Sequence, residues 1–111
     1  MSSTEQNITV LIIEDDLEVR DTLADILEIN DFNPIVASNG KKGLDVIKRH
    51  KPAVIITDLA MPVMSGFELL EVLRVDPNLR MIPVIVISAK VDRDANRRAM
   101  ELGASDFLTK P

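Results

Sequence analysis

Two short apolar runs without polar alternation constrain the fold of this chain most strongly. Residues 10–13 read Val-Leu-Ile-Ile, and residues 84–87 read Val-Ile-Val-Ile. β-Branched residues favour strands, and a strand without polar alternation is typical of one that other elements cover on both faces. Such strands occur almost only in parallel sheets that are flanked by helices. The sequence therefore predicts a parallel sheet.

Segments of strand length alternate with segments of helical period along the chain. In the first helical segment, Val19, Leu23 and Leu27 recur every four residues on one face. The predicted strands are residues 8–13, 34–37, 53–57, 83–87 and 106–109, and the further predicted helices are residues 41–50, 67–74 and 92–102. Gly103 is expected to end the last of these helices. This order predicts a doubly wound α/β fold.

The connections between the strands predict how the helices are distributed. With the flavodoxin-like strand order 2-1-3-4-5, right-handed crossovers place the first helix alone on one face of the sheet. Half of that face is then uncovered, and the sequence stops at Pro111, where a fifth helix would begin. We expect a domain that lacks its fifth helix, through truncation or because a partner covers the face.

Length and composition exclude several classes of protein. The 111 residues predict one domain, 1–111, with a flexible polar start at residues 1–7. With no Cys and a single His, disulfides, thiol chemistry and Cys- or His-rich metal sites are excluded, so any metal has oxygen ligands. The net charge of −5 argues against direct nucleic-acid binding. No signal peptide or long apolar run is present, which predicts a cytoplasmic protein without membrane contact.

Polar side chains follow four of the predicted strands. Glu14 and Asp15 follow the first strand, Asp58 the third, Ser88 the fourth and Lys110 the fifth. Because the carboxyl ends of parallel strands meet at one edge of a sheet, these groups are expected to converge there. Converging carboxylates repel one another unless a hard cation or shared protons neutralise them, and Mg²⁺ is the natural cation.

The same set of groups is suited to phosphoryl transfer. A cation, an ammonium group from Lys110 and a hydroxyl from Ser88 would stabilise the oxygens of a transferring phosphoryl group. Asp58 stands alone at the end of the central strand and is the best candidate for an acceptor, since carboxylates can form aspartyl phosphates.

These residues resemble the receiver domain of two-component response regulators, over the chain from Thr9 to Pro111. The intervals fit that family: 43 residues from Asp15 to Asp58, 30 from there to Ser88 and 22 from there to Lys110. The matching pieces are Ile13-Glu14-Asp15, Asp58-Leu59-Ala60-Met61-Pro62 with Gly66, Ile87-Ser88-Ala89 and Thr109-Lys110-Pro111.

The resemblance implies roles for the acceptor and its metal. Asp58 would be the phosphoacceptor, charged by a histidine kinase, a histidine phosphotransfer protein or a small acyl phosphate. Glu14 and Asp15 would bind Mg²⁺ together with Asp58 and the backbone carbonyl of Ala60. The first acid of the pair is Glu14, a family variant whose side chain is longer than that of aspartate.

The resemblance also implies the parts of a switch. Ser88 would turn toward the phosphoryl group, Phe107 would change rotamer with it, and Lys110 would form an ion pair. Phe107 has no hydroxyl, so only the steric part of this switch would remain. Ala60 flanks the acceptor and Lys90 lies two residues after Ser88, and both positions would affect the rate of dephosphorylation. A cis peptide is expected at Lys110–Pro111, and the surface of the fourth helix and fifth strand would serve for homodimerisation.

Two other functions stay open at this point. The first is a protein-interaction module of the same fold that works without phosphorylation, although such modules usually lack the acids, acceptor or lysine found here. The second is a phosphohydrolase of the haloacid dehalogenase type, which also uses an Asp nucleophile. That family has a second acid two residues after the nucleophile, where this chain has Ala60. The self-assisted chemistry of a receiver would make the chain a switch and not an enzyme.

Overall fold

A computed structural model describes residues 8–89 and 92–110. The strands form one five-stranded parallel sheet in the order β2-β1-β3-β4-β5, as the sequence predicts. The elements in chain order are β1 (Thr9–Ile13), α1 (Leu17–Ile29), β2 (Asn33–Ala37), α2 (Gly40–His50), β3 (Val54–Asp58), α3 (Gly66–Val75), β4 (Val84–Ser88), α4 (Arg93–Glu101) and β5 (Asp106–Thr109).

The largest core lies between the sheet and the helices α2, α3 and α4. Leu11 of β1, Ile55 of β3 and Val86 of β4 are fully buried there, against Ile47 of α2 and Leu69 of α3. Full burial of one such aliphatic side chain stabilises a fold by about 1.5–3 kcal/mol. The continuous apolar runs of the sequence therefore lie in central strands, where both faces are covered or partly covered.

Helix α1 packs on β1 and β2 apart from the other helices, and no residue of α1 is buried. Within residues 8–89 and 92–110 no helix follows β5, so part of the α1 face of the sheet is uncovered. Leu108 is 54% exposed there and Val36 is 45% exposed. This confirms the predicted strand order and the position of α1 alone on one face of the sheet.

The ends of the elements differ from the predicted bounds by at most one residue. Side-chain caps set the starts of the helices. Asp16 caps α1 by accepting from the backbone N–H groups of Glu18 and Val19. Ser65 and Glu68 form a capping box at the start of α3. Gly103 has a φ of +107° after the end of α4, as expected for a residue that ends a helix.

Three sequence-based expectations fall outside the described residues: the flexible segment 1–7, the position of Lys90 and the cis peptide at Pro111. No helix in the part of the chain that the structure describes is long and apolar enough to cross a membrane.

We expect Gly66→Ala to lower the free energy of unfolding by about 1–3 kcal/mol. A Cβ atom at Gly66 would collide with the carbonyl oxygen of Asp58 and lie 2.9 Å from Leu59 Cα, both backbone atoms. Urea unfolding followed by circular dichroism measures the change. Glu71→Ala, at an exposed position of the same helix, is the control and should change stability by less than about 0.5 kcal/mol.

The sign of the Gly66 result is informative. Where the folded backbone can accept it, replacing Gly by Ala stabilises a protein by about 0.4–1 kcal/mol, because the unfolded chain loses conformational freedom. A Gly66→Ala variant as stable as the wild type would contradict the close approach of α3 to the end of β3.

Candidate functional site

A lysine and two carboxylates from distant parts of the chain meet at the carboxyl edge of the sheet. Lys110 Nζ lies 2.8 Å from Glu14 Oε1 and 2.9 Å from Asp58 Oδ2. Glu14 directly follows β1, Asp58 is the last residue of β3, and Lys110 directly follows β5. The backbone N–H of Lys110 donates to the carbonyl of Ser88 at 2.7 Å. The parallel sheet thus brings the ends of its strands into one cluster.

The carboxylate of Asp58 is held at both oxygens. Its Oδ1 accepts from the backbone N–H of Leu59 at 2.7 Å and from that of Ala60 at 3.3 Å, while Oδ2 pairs with Lys110. The residue is only 5% exposed. Hydrogen bonds from fixed backbone donors orient a carboxylate before any reactant arrives.

Glu14 is fully buried, which is unusual for a carboxylate. Burial raises its pKa above the ordinary value, while Lys110 and the backbone N–H of Asp16, which donates to Oε2 at 2.9 Å, oppose that rise. Burial alone would lower the pKa of Lys110, but its bonds to Glu14 and Asp58 outweigh burial and raise it. The Lys110 side chain, 16% exposed, therefore stays charged.

The donor set fits a hard divalent cation. One carboxylate oxygen from each of Glu14, Asp15 and Asp58 lies within 4.8 Å of the others. Glu14 and Asp58 are buried, whereas Asp15 is exposed and open to an entering ion. Carboxylate oxygens at this separation match the preference of Mg²⁺ for oxygen ligands that leave room for waters and a phosphate oxygen.

The cluster opens into a cleft of about 530 Å³. Six of the residues singled out from the sequence line it: Glu14, Asp15, Asp58, Ala60, Ser88 and Lys110. Phe107 is not among the lining residues and lies on β5, 42% exposed. It pairs across the ladder with Val86, so it faces the same side of the sheet as Ser88, two residues further along β4.

Two residues of the site neighbourhood were missed from the sequence. The ring of Phe67 lines the cleft from α3 and is covered by the guanidinium of Arg98 at 4.2 Å. Arg20 donates from Nη1 to the carbonyl of Glu14 at 3.2 Å. Phe67 matches an apolar core position and Arg20 matches the polar face of α1, so neither carried a signal of its own.

Lys110→Met is expected to lower the free energy of unfolding at pH 7 by about 3 kcal/mol, because it leaves two largely buried carboxylates without their cation. Loss of Lys110 also raises the pKa of Glu14 further, so the folded variant takes up protons as the pH falls. The difference in the free energy of unfolding between the variant and the wild type should therefore shrink as the pH falls from 7 toward the ordinary glutamate pKa.

Urea unfolding of the Lys110→Met variant at pH 7 and pH 4.5, followed by circular dichroism, measures both effects. Lys41→Met removes an exposed lysine and serves as the matched control, with a change below about 0.5 kcal/mol. A Lys110→Met penalty that stayed the same at both pH values would show that the lysine acts through packing and not through charge.

The chain is similar to known proteins along nearly its whole length. The family model described as the response regulator receiver domain matches residues 10–111. A probable chemotaxis protein CheY from Rhizobium etli is 34% identical over 110 residues, covering 98% of this chain and 85% of that protein. The crystal structure of a putative response regulator from Chloroflexus aurantiacus superposes with a TM-score of 0.91 at 29% identity, covering 96% of this chain and 87% of the other.

Longer proteins are also related. The phosphate regulon transcriptional regulatory protein PhoB of Pseudomonas aeruginosa is 35% identical over 103 residues. The match covers 93% of this chain but only 45% of that protein, so this chain spans less than half of the length of that relative. The five-stranded fold, the acid and lysine cluster and these matches agree, and the chain belongs to the family of response regulator receiver domains.

Proposed function

We propose that residues 1–111 form one receiver domain that accepts a phosphoryl group on Asp58 within a two-component phosphorelay. The observation that carries this proposal is the state of the Asp58 carboxylate. It is fixed by two backbone N–H groups and Lys110 at the wall of a cleft that also holds Glu14 and Asp15. The donor would be a histidine kinase or a histidine phosphotransfer protein, the classes of protein with which receiver domains interact.

The transfer is a displacement at phosphorus. A carboxylate oxygen of Asp58 forms a bond to phosphorus while the bond from phosphorus to the donor's imidazole nitrogen breaks, and the imidazole keeps the electron pair. Charge on the phosphoryl oxygens is then met by the ammonium of Lys110 and the hydroxyl of Ser88. The residues act by position and charge.

Glu14, Asp15, Asp58 and the carbonyl of Ala60 are the proposed ligands of Mg²⁺. The ion, when bound, supplies positive charge to the phosphoryl oxygens and lowers the repulsion between the acids and the donor. The support for this assignment is the 4.8 Å grouping of the carboxylate oxygens and the position of Ala60 at the cleft.

The proposed switch runs from the cleft to the surface of α4 and β5. Ser88 turns toward the phosphoryl group, and the exposed ring of Phe107, on the same face of the sheet, follows it. The resulting change would alter the binding of a partner or of a second copy at the α4 and β5 surface. We also propose that the domain is cytoplasmic and makes no direct contact with nucleic acid. Its net charge of −5 disfavours binding to a phosphate backbone.

Asp58→Ala should abolish phosphoryl uptake and leave the fold intact, because it removes the only proposed nucleophile. The measurement is intact mass after incubation with acetyl phosphate, with Mg²⁺ or with a chelator. Asp45→Ala, which removes an exposed aspartate of α2, is the matched control. The wild type and the control should each gain one phosphoryl group only when Mg²⁺ is present.

Other outcomes of this experiment separate the alternatives. Uptake by Asp58→Ala would show that another residue is the acceptor. A folded wild type that gains no phosphoryl group would favour an interaction module that works without phosphorylation. Sustained turnover of many phosphate esters per protein would favour a phosphohydrolase, against which the alanine at position 60 already argues.

A further inference from the structure

Arg20 connects helix α1 to the acidic end of β1. Its Nη1 donates to the backbone carbonyl of Glu14 at 3.2 Å, from the first turns of α1 back to the segment that precedes the helix. Glu14 itself is fully buried, and Arg20 is partly buried. A hydrogen bond from a guanidinium to a carbonyl is charge-assisted and stronger than one between neutral groups.

The bond acts on the peptide group that joins the two proposed metal ligands. The carbonyl of Glu14 and the N–H of Asp15 belong to one planar unit, so a donor that fixes the oxygen also fixes the direction in which the chain enters Asp15. Asp15 is the exposed member of the acidic group and extends from this peptide. The position of its carboxylate therefore depends on the orientation of a peptide that Arg20 holds.

The other anchors of this segment act on different atoms. The N–H of Glu14 donates to the carbonyl of Ala37 at 3.1 Å, and the N–H of Asp16 donates to Glu14 Oε2 at 2.9 Å. Asp16 in turn caps α1 through its side chain. These bonds hold residues 14 and 16 at their N–H groups, whereas Arg20 holds the peptide group between residues 14 and 15.

Burial of the Arg20 guanidinium is unfavourable at one of its nitrogen atoms. Within the described residues, Nε of Arg20 is buried and has no hydrogen-bond partner. A buried donor without a partner is unfavourable, and native structures contain few of them. The side chain is thus kept in a buried position from which Nη1 reaches the Glu14 carbonyl, although one of its own donors is unsatisfied there.

We propose that Arg20 is a positioning residue for the metal site. It orients the Glu14–Asp15 peptide so that the Asp15 carboxylate stays close enough to those of Glu14 and Asp58 for all three to bind one ion. The inference rests on the metal site of the proposed function. In this role Arg20 strengthens Mg²⁺ binding, whereas its positive charge alone would weaken it. A cation beside an acidic site weakens Mg²⁺ binding by repulsion, whereas a residue that orients a ligand strengthens it.

The test is the Mg²⁺ dissociation constant, measured by isothermal titration calorimetry with MgCl₂ as the only ligand. Arg20→Met should weaken Mg²⁺ binding by about tenfold, in the range found when groups that orient metal ligands are removed. Arg20→Lys keeps a charged donor and should recover most of the loss. Arg97→Met, which removes an exposed arginine that pairs with Asp94 on the surface of α4, should bind Mg²⁺ as the wild type does.

Two results would overturn the inference. Arg20→Met binding Mg²⁺ as tightly as the wild type, or more tightly, would mean that Arg20 acts only as a nearby charge. Arg20→Lys binding as weakly as Arg20→Met would mean that the bond to the carbonyl is not the cause. If Arg20→Met does not fold, as judged by circular dichroism, Arg20→Gln replaces it in the same comparison.

Phosphoryl uptake separates this inference from the proposed function. With acetyl phosphate, Arg20→Met should be slower than the wild type at low Mg²⁺ and return to the wild-type rate when Mg²⁺ is saturating. A wild type that binds Mg²⁺ but takes up no phosphoryl group would contradict the proposed function and leave the role of Arg20 to the calorimetric result. A wild type that binds no Mg²⁺ would contradict the role of Arg20 as well.

Discussion

The ion pairs of Lys110 with Glu14 and Asp58 are the interaction on which the site depends. They join the segments that follow β1 and β5 to the last residue of β3, so they form only when the sheet is complete and in register. Without this cation, the buried Glu14 and the nearly buried Asp58 would be two unpaired charges in a low-dielectric environment, which is strongly unfavourable. The lysine is therefore a structural requirement of the acidic cluster.

The apolar sheet and the polar edge support each other. The buried side chains of β1, β3 and β4 fix the strands, and the fixed strands determine where their carboxyl ends lie. Backbone N–H groups after β3 then orient Asp58, and the absence of a side chain at Gly66 lets α3 begin against the same backbone. The charged groups at the cleft are thus oriented in advance, and their placement comes from packing that is remote from the cleft.

The two faces of the sheet differ in how well they are covered. The face under α2, α3 and α4 contains the main core, while the α1 face leaves Leu108 and Val36 half exposed. All four residues of β5 are exposed, so this strand is held chiefly by its ladder with β4. The strand that precedes Lys110 is thus the least buried part of the sheet, and the ion pairs of that lysine contribute to holding its carboxyl end.

Much of the fold and of the site could be predicted from patterns in the sequence. Continuous apolar runs and helical periodicity predicted the elements. With the flavodoxin-like strand order, the handedness of the crossovers predicted the isolated position of α1. The five residues that follow the strands, from Glu14 to Lys110, were expected to converge, and the structure places all five around one cleft. These features depend on period, order and handedness, which sequence alone expresses.

Only the tertiary structure decided how the side chains divide their contacts. The full burial of Glu14, the sharing of Lys110 between two carboxylates, the ring of Phe67 at the cleft and the bond from Arg20 to the Glu14 carbonyl carried no pattern of their own. Each depends on the rotamer of a long or flexible side chain and on the distance between elements far apart in sequence. Periodicity shows which face a residue occupies, but the atoms it reaches are set by how the faces pack.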